Sequence, residues 1–188
     1  VEGILWIEFE GKNKNELLSE IANICDTLLS NYTDEEILIA QTTEEIKTLW
    51  AYRSRLGEAI INFSTFQDID LVVPRSKIHQ MYAGIKEVAQ RYKFHYTAFG
   101  HIANGNFHIN VLRGNISETE WKKILTEAIE KIFRIAIANV GTISGEHGIG
   151  NIQRQYLSMA IPEFQLDLMK IIKNAFDPNN TLNAEIIF

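Results

Sequence analysis

The sequence predicts an α+β fold in which helices pack on one face of an antiparallel sheet, with ferredoxin-like elements. Segments of strand composition alternate with segments whose apolar residues recur at helical spacing. An Asn104-Gly105 pair between two apolar runs predicts a hairpin, which requires antiparallel pairing. No linker rich in Pro, Gly or Ser divides the chain, so we expect a single domain over 1–188.

The individual elements follow from composition and from capping signals. Three β-prone segments predict strands ahead of the hairpin, over 3–10, 37–40 and 70–73. Thr42 and Ser117, each followed by a glutamate three residues later, form capping boxes, and Ser76 is a further N-cap candidate. Pro162 suits the first turn of a last helix. The predicted helices cover 15–29 and start at 42, 76, 117 and 162, and DPNNT at 177–181 is typical of a turn.

Composition excludes several classes of protein. The chain has 188 residues and a formal charge of −6, without a Lys/Arg block, which argues against binding nucleic acid. The single cysteine excludes an internal disulfide framework, and no apolar run approaches the roughly 20 residues of a bilayer span. We expect a cytoplasmic protein, or one peripheral at the inner membrane. The chain opens on Val1, so we also expect it to be a piece of a longer protein.

The stretch FGHIANGNFHINV places His101 and His108 on either side of the predicted turn. If Asn104 and Gly105 form a two-residue type I′ loop, His101 faces His108 directly, with Cβ atoms about 4.5–5.5 Å apart. Two imidazoles so placed can chelate a divalent ion or flank a small substrate. A solvated hairpin with two surface histidines is the alternative.

A second polar cluster lies in GTISGEHGIG, where four glycines surround Glu146 and His147. This density predicts a close approach of the backbone to another group, although a flexible loop between helices is the alternative. The spacing fits neither GxGxxG nor a P-loop. Glu146 could complete a His-His-carboxylate metal site with His101 and His108, which would leave coordination positions open. Imidazole exchanges a proton near neutral pH, so His147 is a candidate base.

The two motifs together resemble the C-terminal domain of the FAD-linked oxidases. That family includes D-lactate dehydrogenases, glycolate oxidases and D-2-hydroxyglutarate dehydrogenases. The resemblance extends over most of the chain, with weaker matches in IEFEG at 7–11, LWAYR at 49–53, DLVVP at 70–74 and FDPNNTLN at 176–183.

The resemblance implies a role for each candidate residue. It makes His101, His108 and Glu146 ligands of a divalent metal, zinc or manganese, and His147 the base that removes the hydroxyl proton. It also makes Arg53 and Asn110 substrate-binding residues, and a guanidinium suits a carboxylate chemically. The resemblance implies that FAD is bound mainly by an N-terminal domain, which we expect to lie outside this chain, and the sequence assigns no FAD-binding residue here. We therefore expect the fragment alone to be inactive.

Four positions depart from the family pattern. Ala103-Asn104 stands where Gly-Asp is preferred, Gln153 stands where a lysine commonly follows the glycine loop, and Ala184 alters the closing Asn-Pro-Gly-Lys. These changes bear on the substrate and on the flavin contacts, and they leave the three predicted metal ligands in place.

The expected function is that of the substrate-binding domain of an FAD-dependent oxidoreductase acting on CH–OH groups. It would oxidise a small 2-hydroxy acid, such as D-lactate or glycolate, to the keto acid with hydride transfer to flavin. Expected partners are the flavin domain, an electron acceptor (quinone, cytochrome or electron-transfer flavoprotein) and, in a homodimer, a second copy. The alternative is a degenerate, non-catalytic subunit that packs on a flavoprotein partner. A hydrolytic metal site ranks last because no HExxH-like pattern is present.

Overall fold

A computed structural model of the chain describes residues 3–32 and 37–188. The chain divides into two compact units, Val1–Arg55 and Leu56–Phe188, and each is described by itself below. The expectation of one domain over 1–188 stays a prediction.

The N-terminal unit is built on helices. Helix α1 spans Lys14–Asn31, and the side chain of Asn13 caps it by accepting a hydrogen bond from the backbone N–H of Asn15 at 3.0 Å. Helix α2 spans Thr43–Phe63 and begins in this unit. Its predicted capping box is confirmed: Glu45 accepts from the backbone N–H of Thr42 at 3.0 Å, and Thr42 Oγ1 accepts from the N–H of Glu45 at 3.3 Å.

The strands predicted over 3–10 and 37–40 are wrong, because both segments are described and neither forms a strand. Their apolar side chains are largely exposed, as at Ile4 and Leu38. A β-prone segment becomes a strand only where a partner pairs its backbone and a neighbouring layer covers one face. Composition alone therefore overestimated the tendency of these two segments to form strands.

The C-terminal unit contains an antiparallel sheet of three strands. Strand β1 spans Phe66–Val72, β2 spans His95–Phe99 and β3 spans Asn106–Leu112. The order is β1-β3-β2, so the central strand is the last of the three in sequence. Helix α3 (Ile78–Tyr92) connects β1 to β2 and helix α4 (Glu118–Ala138) follows β3. This β-α-β-β-α order and sheet topology confirm the predicted α+β fold with ferredoxin-like elements.

The chain that follows α4 returns to the free edge of β1 and forms a single antiparallel bridge there, between Thr142 and Val72. Thr142 donates to the carbonyl of Val72 at 2.9 Å, and Val72 donates back at 3.3 Å. A ferredoxin-like unit would place a fourth strand at this edge. Here the pairing stops after one bridge, and the glycine-rich segment continues across the sheet instead.

The core lies between one face of the sheet and the two long helices. Side chains alternate along a strand, so one face of β1 and β3 carries Ile69, Leu71, Ile109 and Val111, all buried. These residues form one cluster with side chains of α3 and α4: Met81, Ile85, Val88, Ile129, Ile132 and Phe133. Helices on one face leave the opposite face of the sheet free to carry polar groups.

The remaining elements largely follow the predicted signals. Ser117 caps α4 as predicted, accepting from the backbone N–H of Glu120 at 3.3 Å. Helices α5 (Leu157–Ala160) and α6 (Glu163–Phe176) complete the unit. The predicted cap at Ser76 is wrong, because Ser76 lies inside a 3-10 turn over Arg75–Lys77 and α3 begins at Ile78 without a side-chain cap.

In the described parts of the chain, none of the helices combines the length and the apolar composition that a crossing of the bilayer requires.

Replacing Ile132 by alanine tests the core. Ile132 is fully buried between α4 and the sheet, so Ile132→Ala should lower the free energy of unfolding by about 2–5 kcal/mol. Ile152→Ala is the matched control, because Ile152 is 64% exposed and its loss should change stability by no more than about 0.5 kcal/mol. Chemical denaturation of the two variants measures the difference, and equal effects would contradict this placement of the core.

Candidate active site

Polar side chains occupy the face of the sheet opposite the core. Asp68 and Asp70 lie on β1, and Asn106, His108 and Asn110 lie on β3, each two residues apart and therefore on the same face of its strand. In the register of the two strands Asp70 faces His108 and Asp68 faces Asn110. The pleat of the sheet thus brings two carboxylates, an imidazole and two amides onto one surface.

Asp70 fixes the glycine-rich segment onto this face. Its Oδ2 accepts hydrogen bonds from three consecutive backbone N–H groups, those of Gly145, Glu146 and His147, at 2.9, 2.6 and 2.8 Å. Its Oδ1 accepts from Asn106 Nδ2 at 2.8 Å. The side chain is 1% exposed, so these four donors replace the water that an ionised carboxylate needs.

The charge of Asp70 is maintained by these donors. Burial by itself raises the pKa of the carboxyl, because a low-dielectric environment disfavours the charged form. The hydrogen bonds from the three backbone amides and from Asn106 act in the opposite direction and hold the pKa of Asp70 below its usual value. Asp70 is therefore a carboxylate at neutral pH.

Gly145 is required by the closeness of this contact. A Cβ at this position would lie 2.5 Å from Asn106 Nδ2 and 2.9 Å from Asp70 Oδ1, which is too close for any side chain. The close approach that the glycine density predicted is therefore found, and the group approached is the carboxylate of Asp70. The alternative of a flexible loop does not account for these contacts.

The histidine hairpin forms, but its predicted turn is wrong. Phe99, and not His101, faces His108, and the connection runs over 100–105 with a 3-10 turn at Ile102–Asn104. Of the two central residues, only Gly105 has a positive φ, at 74°, whereas a type I′ turn needs positive φ at both. His101 consequently lies in the connection and not in a strand.

His101 and His108 nevertheless approach the same carboxylate. His101 Nε2 is 3.9 Å from Glu146 Oε1, and His108 Nε2 is 3.8 Å from Glu146 Oε2. His108 is buried, while the side chains of His101 and Glu146 are about half exposed. Glu146 therefore stands between the two imidazoles, with one oxygen directed to each.

The donor set fits a divalent cation. Two imidazoles and a carboxylate suit zinc or manganese, and ligand atoms on a tetrahedral zinc lie about 3.4 Å apart for bonds of about 2.1 Å. The 3.8 and 3.9 Å separations run to two different oxygens of Glu146, and ligand atoms of these three residues do not all lie within 4.8 Å of one another, so binding a cation requires His101 and Glu146 to move closer to His108. The other ring nitrogen of His108, Nδ1, lies 3.9 Å from Asp70 Oδ1, and a carboxylate behind a ligating histidine is common in metal sites.

A second group of possible ligands shares His108. Asp68, His108 and His147 each offer a ligand atom within 4.8 Å of the others. The closest contact joins His147 Nδ1 and Asp68 Oδ2 at 3.2 Å. The rings of His108 and His147 are stacked, with centroids 4.8 Å apart and planes inclined by 27°.

The predicted substrate residues lie in different units. Asn110 is buried on β3, on the same face as His108, and its Nδ2 donates to Thr97 Oγ1 on β2 at 3.4 Å. Arg53 lies on α2 in the N-terminal unit, where its side chain is exposed. The structure thus brings His101, His108, Glu146, His147 and Asn110 together in one unit.

The sequence analysis missed Asp68, Asp70 and Asn106. The available signal was the segment QDIDLVV, in which two aspartates alternate with apolar residues at the start of the strand predicted over 70–73 and just before it. A carboxylate within a buried strand needs partners, and the period of two places both aspartates on the face away from the core. The identity of those partners depends on tertiary contacts across more than 70 residues.

Replacing Asp70 tests the role of this carboxylate. Asp70→Asn directs an amide N–H₂ at backbone donors or at Asn106, so we expect a loss of about 2–4 kcal/mol in the free energy of unfolding. Amide hydrogen exchange at Gly145, Glu146 and His147 should become faster in the same variant. Asp167→Asn on α6, where the side chain is exposed, is the control and should leave both measurements unchanged.

The pH dependence of that loss has a defined sign. The folded-state pKa of Asp70 is lowered, so its contribution is complete above the unfolded value of about 3.9 and disappears as the pH falls through the folded-state pKa. The difference in the free energy of unfolding between wild type and Asp70→Asn should therefore decrease as the pH falls below about 4. A difference that stays constant down to the acid transition would show that the charge of Asp70 is not what holds the segment.

Comparison with known proteins identifies the chain's relatives. The family model for the C-terminal domain of FAD linked oxidases matches residues 1–186. A D-lactate dehydrogenase of Anaerostipes hadrus is 34% identical over 180 residues, which is 95% of this chain and 38% of that protein. Glycolate oxidase subunit GlcD of Bacillus subtilis is 35% identical over 150 residues, 79% of this chain and 32% of that protein.

A D-2-hydroxyglutarate dehydrogenase of Stutzerimonas stutzeri is 27% identical over 154 residues, 80% of this chain and 33% of that protein. The chain spans between about a third and two fifths of the length of these relatives. The predicted resemblance is thereby confirmed, and the chain belongs to the family of FAD linked oxidase C-terminal domains.

Proposed function

We propose that this chain is the substrate-binding domain of an FAD-dependent 2-hydroxy-acid dehydrogenase. The substrate is a small 2-hydroxy acid of the D-lactate or glycolate type, and the product is the 2-keto acid. The relatives named above are dehydrogenases and an oxidase component for compounds of this class. FAD is held mainly by an N-terminal flavin domain of the intact protein.

One structural observation carries the proposal. Asp70 holds three consecutive amides of the glycine-rich segment, and this fixes Glu146 and His147 beside His108 on the polar face of the sheet. The arrangement supplies two functions that the oxidation of an alcohol needs. His101, His108 and Glu146 form a ligand set for a cation, and His147 stands next to it as a proton acceptor.

The chemistry divides between this chain and the groups it binds. Oxidation of a CH–OH group removes a hydride from carbon and a proton from oxygen. When bound, the divalent cation would polarise the hydroxyl oxygen as a Lewis acid and FAD would accept the hydride. His147 takes the hydroxyl proton, because its imidazole adjoins the ligand set and a neutral imidazole has a nitrogen that can accept a proton.

The other residues bind and orient the substrate. Arg53 pairs with the substrate carboxylate, for which a planar guanidinium has matching donors. Asn110 contributes an amide from the same strand face as His108. A quinone, a cytochrome or an electron-transfer flavoprotein would accept the electrons in the intact protein. The protein acts in the cytoplasm or at the inner membrane.

Two histidine variants separate the ligand from the base in the full-length protein. His101→Ala removes a metal ligand, so metal content and activity should fall together. His147→Ala removes the proton acceptor, so activity should fall by about 10²–10⁴-fold while metal content is retained. Activity is measured with D-lactate and glycolate, and metal by elemental analysis and calorimetric titration with zinc or manganese.

His79→Ala is the matched control, because His79 is exposed on α3 outside the polar face and its loss should change neither quantity. The assignment of roles is wrong if His147→Ala abolishes metal binding and His101→Ala does not. A wild-type protein that oxidises none of a panel of 2-hydroxy acids would instead favour the non-catalytic assembly subunit.

A further inference from the structure

We infer that Asp68 is a positioning residue for His147, holding the imidazole so that Nε2 is the nitrogen that accepts the substrate proton. The inference rests on the proposed function, because it assigns a partner to the base of that reaction. Asp68 belongs to neither the predicted metal ligands nor the predicted substrate residues. Asp68 is the one carboxylate of the polar face that has no role in the proposed reaction as described above.

The contact between Asp68 and His147 is the closest one among the imidazoles and carboxylates of the site. Asp68 Oδ2 lies 3.2 Å from His147 Nδ1, whereas Glu146 lies 3.8 Å from His108 and 3.9 Å from His101. Asp68 is about one-third exposed and the His147 side chain is about half exposed. Nδ1 of the imidazole therefore lies next to the carboxylate, and about half of the side chain remains accessible to solvent.

Three separate contacts define the position of His147. Its backbone N–H donates to Asp70 Oδ2 at 2.8 Å, which fixes the main chain. Its ring stacks on the buried ring of His108 at a centroid distance of 4.8 Å, which fixes the plane of the imidazole. Rotation within that plane is the remaining freedom, and the carboxylate of Asp68 restricts it through Nδ1.

The two aspartates of β1 therefore act on the same histidine from two positions. They lie two residues apart on one face of the strand, so their Cα atoms are about 6–7 Å apart along it. Asp70 binds the backbone of the glycine-rich segment, and Asp68 meets the ring that this backbone presents. The alternation of the strand is what allows both contacts to be made from one element.

Asp68 also selects the tautomer of His147. A neutral imidazole carries one N–H, and an ionised carboxylate can only accept a hydrogen bond. The tautomer with its proton on Nδ1 is therefore favoured beside Asp68, and this leaves the lone pair on Nε2. A base needs that free lone pair on the side of the substrate, so the carboxylate prepares the ring for the reaction.

The stacking of the rings argues against His147 as a metal ligand alongside His108. The lone pair of an imidazole nitrogen lies in the plane of its ring, and these two planes are inclined by only 27° with centroids 4.8 Å apart. In-plane lone pairs of stacked rings do not converge on one ion at a distance of about 2.1 Å. The cluster of Asp68, His108 and His147 is thus better explained by a base and its partner than by a cation site.

Asp68→Asn in the full-length, metal-loaded protein tests the inference. An amide can donate to Nδ1 and so favour the tautomer with the proton on Nε2, which removes the acceptor. We expect kcat for the 2-hydroxy acid to fall by about 10- to 100-fold, with KM and metal content unchanged within about twofold. Asp68→Glu restores a carboxylate and should recover part of kcat, while Asp167→Asn on α6 should match wild type.

A second readout does not depend on turnover. Histidine ¹⁵N chemical shifts of the metal-free protein, at a pH where imidazole is neutral, report the tautomer of His147, which the His147→Ala spectrum identifies. We expect the proton on Nδ1 in wild type and a shift toward Nε2 in Asp68→Asn. Should wild-type protein oxidise no 2-hydroxy acid, the proposed function fails, but this spectrum still decides the role of Asp68.

The outcomes that overturn the inference are distinct. Unchanged kcat and an unchanged tautomer in Asp68→Asn would show that the carboxylate does not position the ring. A loss of metal together with kcat would make Asp68 a ligand. A rise in KM alone would make it a substrate-binding residue.

Discussion

The buried carboxylate of Asp70 is the constraint on which the site depends. A charge removed from water needs several donors, and Asp70 obtains them from three successive amides, Gly145, Glu146 and His147, and from Asn106. The hydrogen bonds that stabilise the buried charge thus also fix the backbone of the glycine-rich segment, which its glycines would otherwise leave flexible. Two side chains of that segment are the proposed ligand Glu146 and the proposed base His147, and hydrogen bonds from their own backbone N–H groups to Asp70 set the position of both. Breaking this contact would therefore disturb the proposed ligand and the proposed base together.

The sheet assigns opposite tasks to its two faces. One face is apolar and buried under α3 and α4, and the other collects the carboxylates, imidazoles and amides of β1 and β3. The edge of β1 where a fourth ferredoxin-like strand would pair holds only the bridge between Val72 and Thr142. Because pairing ends there, the chain is released over the polar face within three residues and reaches Asp70 at Gly145. The site therefore forms because strand pairing at this edge of the sheet stops after one bridge.

Much of the fold could be predicted from the sequence, where the signals are local. The capping box at Thr42, the N-cap at Ser117 and the strand ahead of Pro74 depend on neighbouring residues, and all three are found, although the strand spans Phe66–Val72 and not 70–73. The strands over 3–10 and 37–40 failed because a strand needs a partner that composition does not reveal.

The candidate site was predictable to a similar degree and for the same reason. The motifs named His101, His108, Glu146 and His147, but the turn at Asn104-Gly105 was wrong because tertiary contacts at Gly105 favour a wider connection than turn propensity does. Asp70 was missed because three of its four donors lie about 75 residues away.

Anomalous diffraction from crystals of the full-length protein grown with manganese or zinc locates the bound cation directly. We expect a single peak about 2.0–2.2 Å from His108 Nε2 and a Glu146 oxygen, with His101 as the third ligand. A peak coordinated by Asp68 and His147, or no peak on this face in a protein that oxidises 2-hydroxy acids, would contradict it.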